Sequence, residues 1–372
     1  MNGFGAIVER GAILRSRLGG ITDKRGRGSG LSRVCLYLLI GACLVTSGCK
    51  EDWVARLGLR TLWRNCVHPF EAYPLEQLTE ELTADPPRLS FVVLGNTDLA
   101  WNEPERGEET TPFGRIMGRV RSIHPQPGFV FHLGDIAREC GDVKAWEALR
   151  VGVAPFEIGF PAGGLYDPGS KRCFVLPGER DVEDKQTEGD FLDYFFRPSG
   201  RLPYSFDWED FHFVALNSET TDDSWLMRYF GFNRQQNRIA GTQRDWLEED
   251  LAKNQDKKIV VFIHKPLFPP VFSRHEGYCL DQYYSDREKL LDLFKAHSVR
   301  VVFTGHEPVF QWTRIADTCY VITGGAGRRP KAVKRFGGFH HFLYVTIDEA
   351  SRMKVYCIDA EYDAVQETVE IM

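Results

Sequence analysis

Five apolar runs of strand length each end in a short polar motif, and this recurrence limits the fold more than any other feature of the chain. The motifs are Leu94-Gly95-Asn96-Thr97-Asp98, His132-Leu133-Gly134-Asp135, Pro177-Gly178-Glu179-Arg180-Asp181, Ile263-His264-Lys265-Pro266 and Thr304-Gly305-His306-Glu307-Pro308. A short apolar run bounded by turn residues reads as a strand buried on both faces. Stretches with helical spacing alternate with these runs, which implies parallel strands. In open α/β sheets the carboxyl ends of parallel strands line one crevice. Asn96, Asp98, Asp135, Glu179, His264 and His306 are therefore expected as neighbours despite their separation in sequence.

Periodicity predicts strands at 89–94, 129–133, 173–176, 204–208, 211–216, 259–263, 299–303, 309–315, 319–322, 339–347 and 353–358. It predicts helices at 112–123, 143–151, 191–196, 242–252 and 285–296, with Thr242 as an N-cap, and a short helix around Trp53–Trp63. The later, strand-rich part suggests a second packed sheet. The expected organisation is a leader over 1–48, a linker over 49–88 broken by Pro69, Pro74 and Pro86-Pro87, and one domain over 89–372. Residues 157–171 read as a long loop before the third motif.

The leader is basic, and the rest of the chain is acidic. Residues 1–48 carry seven Lys/Arg against two Asp/Glu, so with a total of −6 the remainder stands at −11. Such a body does not attract a nucleic-acid backbone through its overall field, and no nucleic-acid partner is expected. Val34–Ser47 is almost wholly apolar, too short to span a bilayer comfortably, and is followed by Gly48-Cys49. Small residues before a cysteine at the end of such a run look like a bacterial lipoprotein processing site. Cys49 would then be the lipidated first residue, placing the protein in the cell envelope on a lipid anchor. A plain secretory signal or an uncleaved anchor is the alternative. None of the nine cysteines has Cys-x-x-Cys spacing, so a zinc knuckle or redox motif is not expected. Cys173 and Cys357 read as buried thiols on strands.

In order and type the five motifs resemble the calcineurin-like metallophosphoesterases, a superfamily that includes the purple acid phosphatases. The family pattern is Asp-x-His, Gly-Asp, Gly-Asn-His-Asp/Glu, a lone His and Gly-His-x-His. The second and fourth motifs match here; the first, third and fifth depart. Val321-Ile322-Thr323-Gly324-Gly325-Ala326-Gly327 and His341-Phe342-Leu343 also resemble the purple acid phosphatase branch. The resemblance spans about residues 89–347. It implies an α/β fold built as a two-sheet β-sandwich flanked by helices, with a divalent metal centre at one edge.

The resemblance makes Asp135 the carboxylate that bridges two ions. One ligand set is complete: Asp135, Glu179, His264 and His306, two imidazoles and two carboxylates that suit Mn, Fe or Zn. The other is eroded to Asn96, Asp98 and Asp135, because Pro308 stands where the family has its last histidine. An oxygen-only set of that kind suits a weakly held Mg, Ca or Mn ion, or none. One ion is therefore expected rather than two. Arg180 stands where the family has a histidine beside the metals. It cannot act as a general acid near neutral pH, but it can hold a phosphate bidentately. A salt bridge from Arg180 to Asp181 or Asp184 is the structural alternative. His132, His340 and His341 read as structural. The basic run from Arg328 to Arg335 reads as either an anion attractor or a solvated loop.

These readings favour a metal-dependent hydrolase of phosphate esters, with Asp135 and Arg180 at the reaction and a phosphorylated small molecule as substrate. The alternative is a pseudoenzyme that keeps the fold and binds a metal or a phosphorylated ligand without turnover. A purely structural envelope lipoprotein is a third reading.

Overall fold

Alternating apolar positions become two stacked sheets in the computed structural model, which describes residues 72–100, 111–159, 165–167, 169–196, 202–220, 237–270, 273–275 and 277–371. In chain order the elements are β1 (Tyr73–Pro74), α1 (Leu75–Ala84), β2 (Leu89–Leu94), α2 (Pro112–Ser122), β3 (Phe129–His132), α3 (Val143–Gly152), β4 (Glu157–Ile158), β5 (Arg172–Val175), α4 (Lys185–Phe196), β6 (Tyr204–Trp208), β7 (Phe211–Leu216), α5 (Thr242–Lys253), β8 (Lys258–Ile263), α6 (Tyr284–Ala296), β9 (Val301–Thr304), β10 (Phe310–Ile315), β11 (Thr318–Thr323), β12 (His341–Ile347), β13 (Met353–Asp359) and β14 (Ala364–Ile371). The first sheet has the order β1-β14-β13-β12-β2-β3-β5-β4, and the second β10-β11-β9-β8-β7-β6.

The inner faces of the two sheets form an aromatic core. Phe129 and Phe131, two apart on β3, point to the same face. Phe129 stacks on Phe91 with ring centroids 4.6 Å apart, and Phe131 stacks on Phe262 of the opposite sheet at 3.7 Å. Phe174 and Phe206 continue the layer at 4.2 Å. The outer face of the second sheet, with Val214, Val261, Ile263 and Val302, is covered by Leu247 and Leu251 of α5 and Leu290 and Phe294 of α6. Ile116, Met117 and Val120 of α2 and Trp146 of α3 pack into the cluster that contains β2 and β3. This is the expected α/β sandwich flanked by helices.

Several boundaries differ for identifiable reasons. Thr242 is the first residue of α5 rather than its N-cap; Gly241, at φ 57°, occupies the cap position without a side-chain bond. Helix α4 starts six residues before its apolar run, because Asp184 accepts the Thr187 N–H at 2.9 Å and so caps a polar first turn. Part of the stretch read as a linker is structured. Leu75, Leu78 and Leu82 form a buried stripe on α1, and β1 pairs with β14. Strand β14 is weakly marked in the sequence because Glu367 interrupts the alternation of Val365, Val369 and Ile371, and its pairing with β13 shifts register after Cys357. Within 157–171, Glu157–Ile158 adds a short parallel strand to β5. Cys173, Cys279, Cys319 and Cys357 are buried, and Cys140 is partly buried. The leader, Cys49 and the helix expected around Trp53–Trp63 lie outside the described residues. No helix among the described residues is long and apolar enough to cross a membrane.

Strands β2, β3 and β5 run parallel side by side in the first sheet, and β7, β8 and β9 in the second. All five motifs follow the carboxyl ends of these strands, which places them at one edge of the sandwich.

Candidate metal centre

Backbone hydrogen bonds between motifs build the cradle. Asn96 N–H donates to Gly134 O at 2.9 Å, Asp98 N–H to Asp135 O at 3.3 Å, and Gly305 N–H to His264 O at 2.9 Å. The loop after β11 is strapped to the first motif by Ala326 N–H on Gly95 O at 3.1 Å and Arg328 N–H on Asn96 O at 2.9 Å. Asp181 is a buried anchor: its carboxylate accepts the amides of Gly178 (2.8 Å), Ile136 (3.1 Å) and Ala137 (3.0 Å). Asn96, Asp98, Asp135 and His306 all hold left-handed backbone, with φ of 59°, 52°, 55° and 65°. Such strain persists only where surroundings over-determine it, and it clusters at functional sites. Gly178 is required by closeness, since a Cβ there would lie 2.2 Å from Asp135 N and 2.7 Å from His264 Cε1.

Inside this cradle Asp135, His264 and His306 meet, all three buried, with one potential ligand atom of each within 4.8 Å of the others. His264 Nδ1–H donates to Leu133 O at 2.8 Å, which leaves the Nε2 lone pair 3.4 Å from Asp135 Oδ1. His264 Nε2 and both ring nitrogens of His306 have no hydrogen-bond partner. Burial holds the pKa of both histidines below the ordinary value, so each imidazole is neutral, as ligation requires. Burial, then the nearby Glu179 carboxylate, push Asp135 upward, while Arg328 and the Arg180 N–H pull it down. A carboxylate in that position calls for a cation, and unpartnered buried nitrogens call for one too. The donor set therefore fits a transition-metal ion. Glu179 lies at the rim, its Oε1 3.8 Å from His306 Nδ1.

Of the residues expected to hold a second ion, Asp98 is engaged otherwise, and Asn96 is engaged through its amide nitrogen while its Oδ1 is buried with no hydrogen-bond partner. Asn96 turns its amide nitrogen toward Asp135 Oδ2 at 2.7 Å and His306 O at 3.2 Å. Both partners are acceptors, so it is the donor end of the amide that faces Asp135. Asp98 is ion-paired through Oδ1 to Arg180 (3.0 Å) and through Oδ2 to Arg138 (3.3 Å). Arg180 pairs with Asp98 and not with Asp181 or Asp184, the partners of the structural alternative; its backbone N–H also donates to Asp135 Oδ1 at 3.0 Å.

Sequence reasoning gave no role to five contributors. His275 Nδ1–H donates to Glu307 at 2.9 Å, Ser273 also bonds that carboxylate, and the His275 ring lies 4.6 Å from that of His306. His275, His306 and Glu307 form a second group with ligand atoms in mutual reach. His275 sits in an irregular loop and closes no strand, so no pattern marked it. Behind the centre, Lys265 and Glu219 form a fully buried ion pair at 2.9 Å. Glu219 follows β7, whose end lacks a family motif. His132 and His341 serve the fold. His132 accepts the Gly134 N–H and donates to Thr97, with burial lowering its pKa to about 3, and His341 donates to Phe339 O.

The sequence profile of the calcineurin-like phosphoesterases matches residues 111–310, more than half of the chain. The chain belongs to that family. No curated protein sequence matches this calcineurin-like phosphoesterase. Among solved structures it is similar to purple acid phosphatase PPD1 from yellow lupin (Lupinus luteus) seeds, with a TM-score of 0.51 and 14% identity over 76% of this chain and 53% of the lupin one. It thus spans about half the length of the lupin enzyme. It is also similar to GAP50, the anchor in the inner membrane complex of Plasmodium, with a TM-score of 0.51 and 15% identity over 76% of this chain and 88% of that one. At such identities the likeness is one of fold. The profile match begins downstream of the first motif.

Proposed function

We propose that the protein is a metal-dependent hydrolase of phosphate esters that works with one divalent ion, Mn, Fe or Zn, held by Asp135, His264 and His306, with Glu179 beside them. The observation that carries this reading is the trio of buried ligand atoms within 4.8 Å, with histidine nitrogens that have no other partner. A bound divalent ion supplies Lewis acidity to the phosphoryl group. Around it, Leu133 O fixes the tautomer of His264, and Asn96 and the Arg180 N–H orient Asp135. Arg180 positions an anionic substrate but does not release a proton. His275, held by Glu307 and a quarter or less exposed, is the titratable group placed to protonate a leaving oxygen. The substrate class is a phosphorylated small molecule. Elemental analysis of dialysed protein beside hydrolysis of an aryl phosphate tests the reading: one ion and metal-dependent turnover are expected, and a fully loaded protein without turnover would overturn it.

A pseudoenzyme that binds a metal or a phosphorylated ligand is the second reading, favoured by the pairing of Asp98 with Arg180 and Arg138. We further propose that the chain is exported and anchored by a lipid on Cys49, on the strength of the apolar run ending in Ser47-Gly48-Cys49. An acylated peptide beginning at Cys49 in the membrane fraction is the expected result; an unmodified Cys49 within a longer soluble chain would end the idea.

A further inference from the structure

We propose that the guanidinium of Arg328 takes the place of a second metal ion beside Asp135, giving a centre of one metal ion and one fixed organic cation that together hold a phosphoryl group. This rests on the metal-dependent reading of the same site.

The two oxygens of Asp135 face different partners. Oδ1 faces His264 Nε2 at 3.4 Å and receives the Arg180 N–H at 3.0 Å. Oδ2 receives the Asn96 amide at 2.7 Å and Arg328 Nη1 at 3.4 Å. One edge of the carboxylate is thus turned to the histidines and the other to a guanidinium. The position of Arg328 is built rather than incidental. Its side chain is only 13% exposed, and its own N–H is bonded to Asn96 O at 2.9 Å. The preceding Gly327 lies so close to the first motif that a Cβ there would come within 1.9 Å of Thr97 O. The segment bearing Arg328 is therefore fastened to the motif whose ligands have changed.

The charges agree with this assignment. Asn96 is neutral, so Asp135 Oδ2 has no second carboxylate beside it and a single positive charge suffices there. Asp98 is answered by Arg180 and Arg138. A divalent ion next to Oδ2 would have to displace Arg328 or share its space against like-charge repulsion. A guanidinium also offers planar, fork-shaped donors matched to phosphate oxygens, which an ion-free carboxylate pair does not. Arg328 thus serves both as the counter-charge of Asp135 and as a phosphate clamp.

The test uses the full chain and the variants Arg328→Gln and Arg328→Lys. Zn²⁺ binding is measured by calorimetry with elemental analysis, and inorganic phosphate binding by calorimetry on the Zn²⁺-loaded proteins. Wild type should take one tight ion. Arg328→Gln should keep that ion, since His264 and His306 are untouched, and lose about tenfold or more in phosphate affinity. Arg328→Lys should fold like wild type, keep the ion, and recover part of the phosphate affinity through charge alone. Two tight ions in wild type, no ion in wild type, or unchanged phosphate affinity in a folded Arg328→Gln or Arg328→Lys protein would each overturn the inference. One ion with Arg328-dependent phosphate binding, but no hydrolysis of any ester, would overturn the hydrolase and leave this inference standing.

Discussion

Asn96 donates its side-chain amide to Asp135 Oδ2 at 2.7 Å, a contact two carboxylates could not make without a proton or a cation between them. The family pattern has aspartate at that position. With asparagine there, the two side chains meet in a direct hydrogen bond.

Restoring the carboxylate should therefore create a demand for a cation. Asn96→Asp is expected to lower stability by about 1–3 kcal/mol in chelator, from the lost bond and the like charges. Added Mn²⁺ should restore it and raise the ion count above one. Chemical denaturation with and without Mn²⁺ decides this; equal stability of variant and wild type in chelator would count against it.

Ion retention should separate the two ligand sets. His264→Ala is expected to abolish tight binding, because it removes one of three converging ligand atoms. Asp98→Ala should leave the ion in place, because Asp98 is bound to arginines. Elemental analysis after dialysis measures both, and loss of the ion from Asp98→Ala would place that residue back among the ligands.

Proton supply should show in the choice of leaving group. If His275 protonates the departing oxygen, His275→Ala slows alkyl phosphates by about 10²-fold or more and aryl phosphates much less. Rates on both substrate classes at matched metal loading measure the effect. A uniform loss on both would make His275 a positioning residue for His306 and Glu307.

The buried pair behind the centre bears on stability. Glu219→Gln leaves the Lys265 ammonium without its carboxylate, and should cost about 3–5 kcal/mol. Replacing both partners by Gln and Met should recover part of the loss. A denaturant midpoint unchanged in the single variant would refute the assignment.

A further ionic cluster makes stability depend on pH. His212 lies between Asp207, at 2.6 Å, and Asp250, at 2.8 Å. Burial lowers its pKa, but the hydrogen bonds to Asp250 and Asp207, with their charges, outweigh that and raise it. The folded protein holds the proton to higher pH than the unfolded chain. The resulting stabilisation is complete below about 6.5, the unfolded value, and fades as pH rises through the folded value. The stability gap between wild type and His212→Ala should be widest at acidic pH and narrow as pH rises through the folded value. A gap independent of pH would show that His212 contributes by packing alone.

Much of the architecture was legible because its strands are apolar on both faces and end in glycine, as β3 does at Gly134-Asp135. The helix α1 was hidden by prolines at either end, although its Leu75, Leu78 and Leu82 stripe is regular. At the site, Asp135, His264 and His306 could be picked out because each follows a strand end. His275 could not, since its place depends on a loop returning over His306. Nor could the pairing of Arg180 with Asp98, because which carboxylate an arginine meets depends on side-chain reach between loops 82 residues apart.

Left-handed backbone at four site residues, close glycine packing and the amides gathered by Asp181 hold the strand ends in shape through the chain's own contacts. Folding itself therefore sets the directions of the side chains. A chain made this way behaves like a socket whose wall outlasts its pins. Aspartate can become asparagine, or histidine proline, one position at a time, and each change alters what is plugged in while the wall stands. Inheritance can then carry such a socket from two ions to one, or from catalysis to mere grip, through a series of fully folded intermediates.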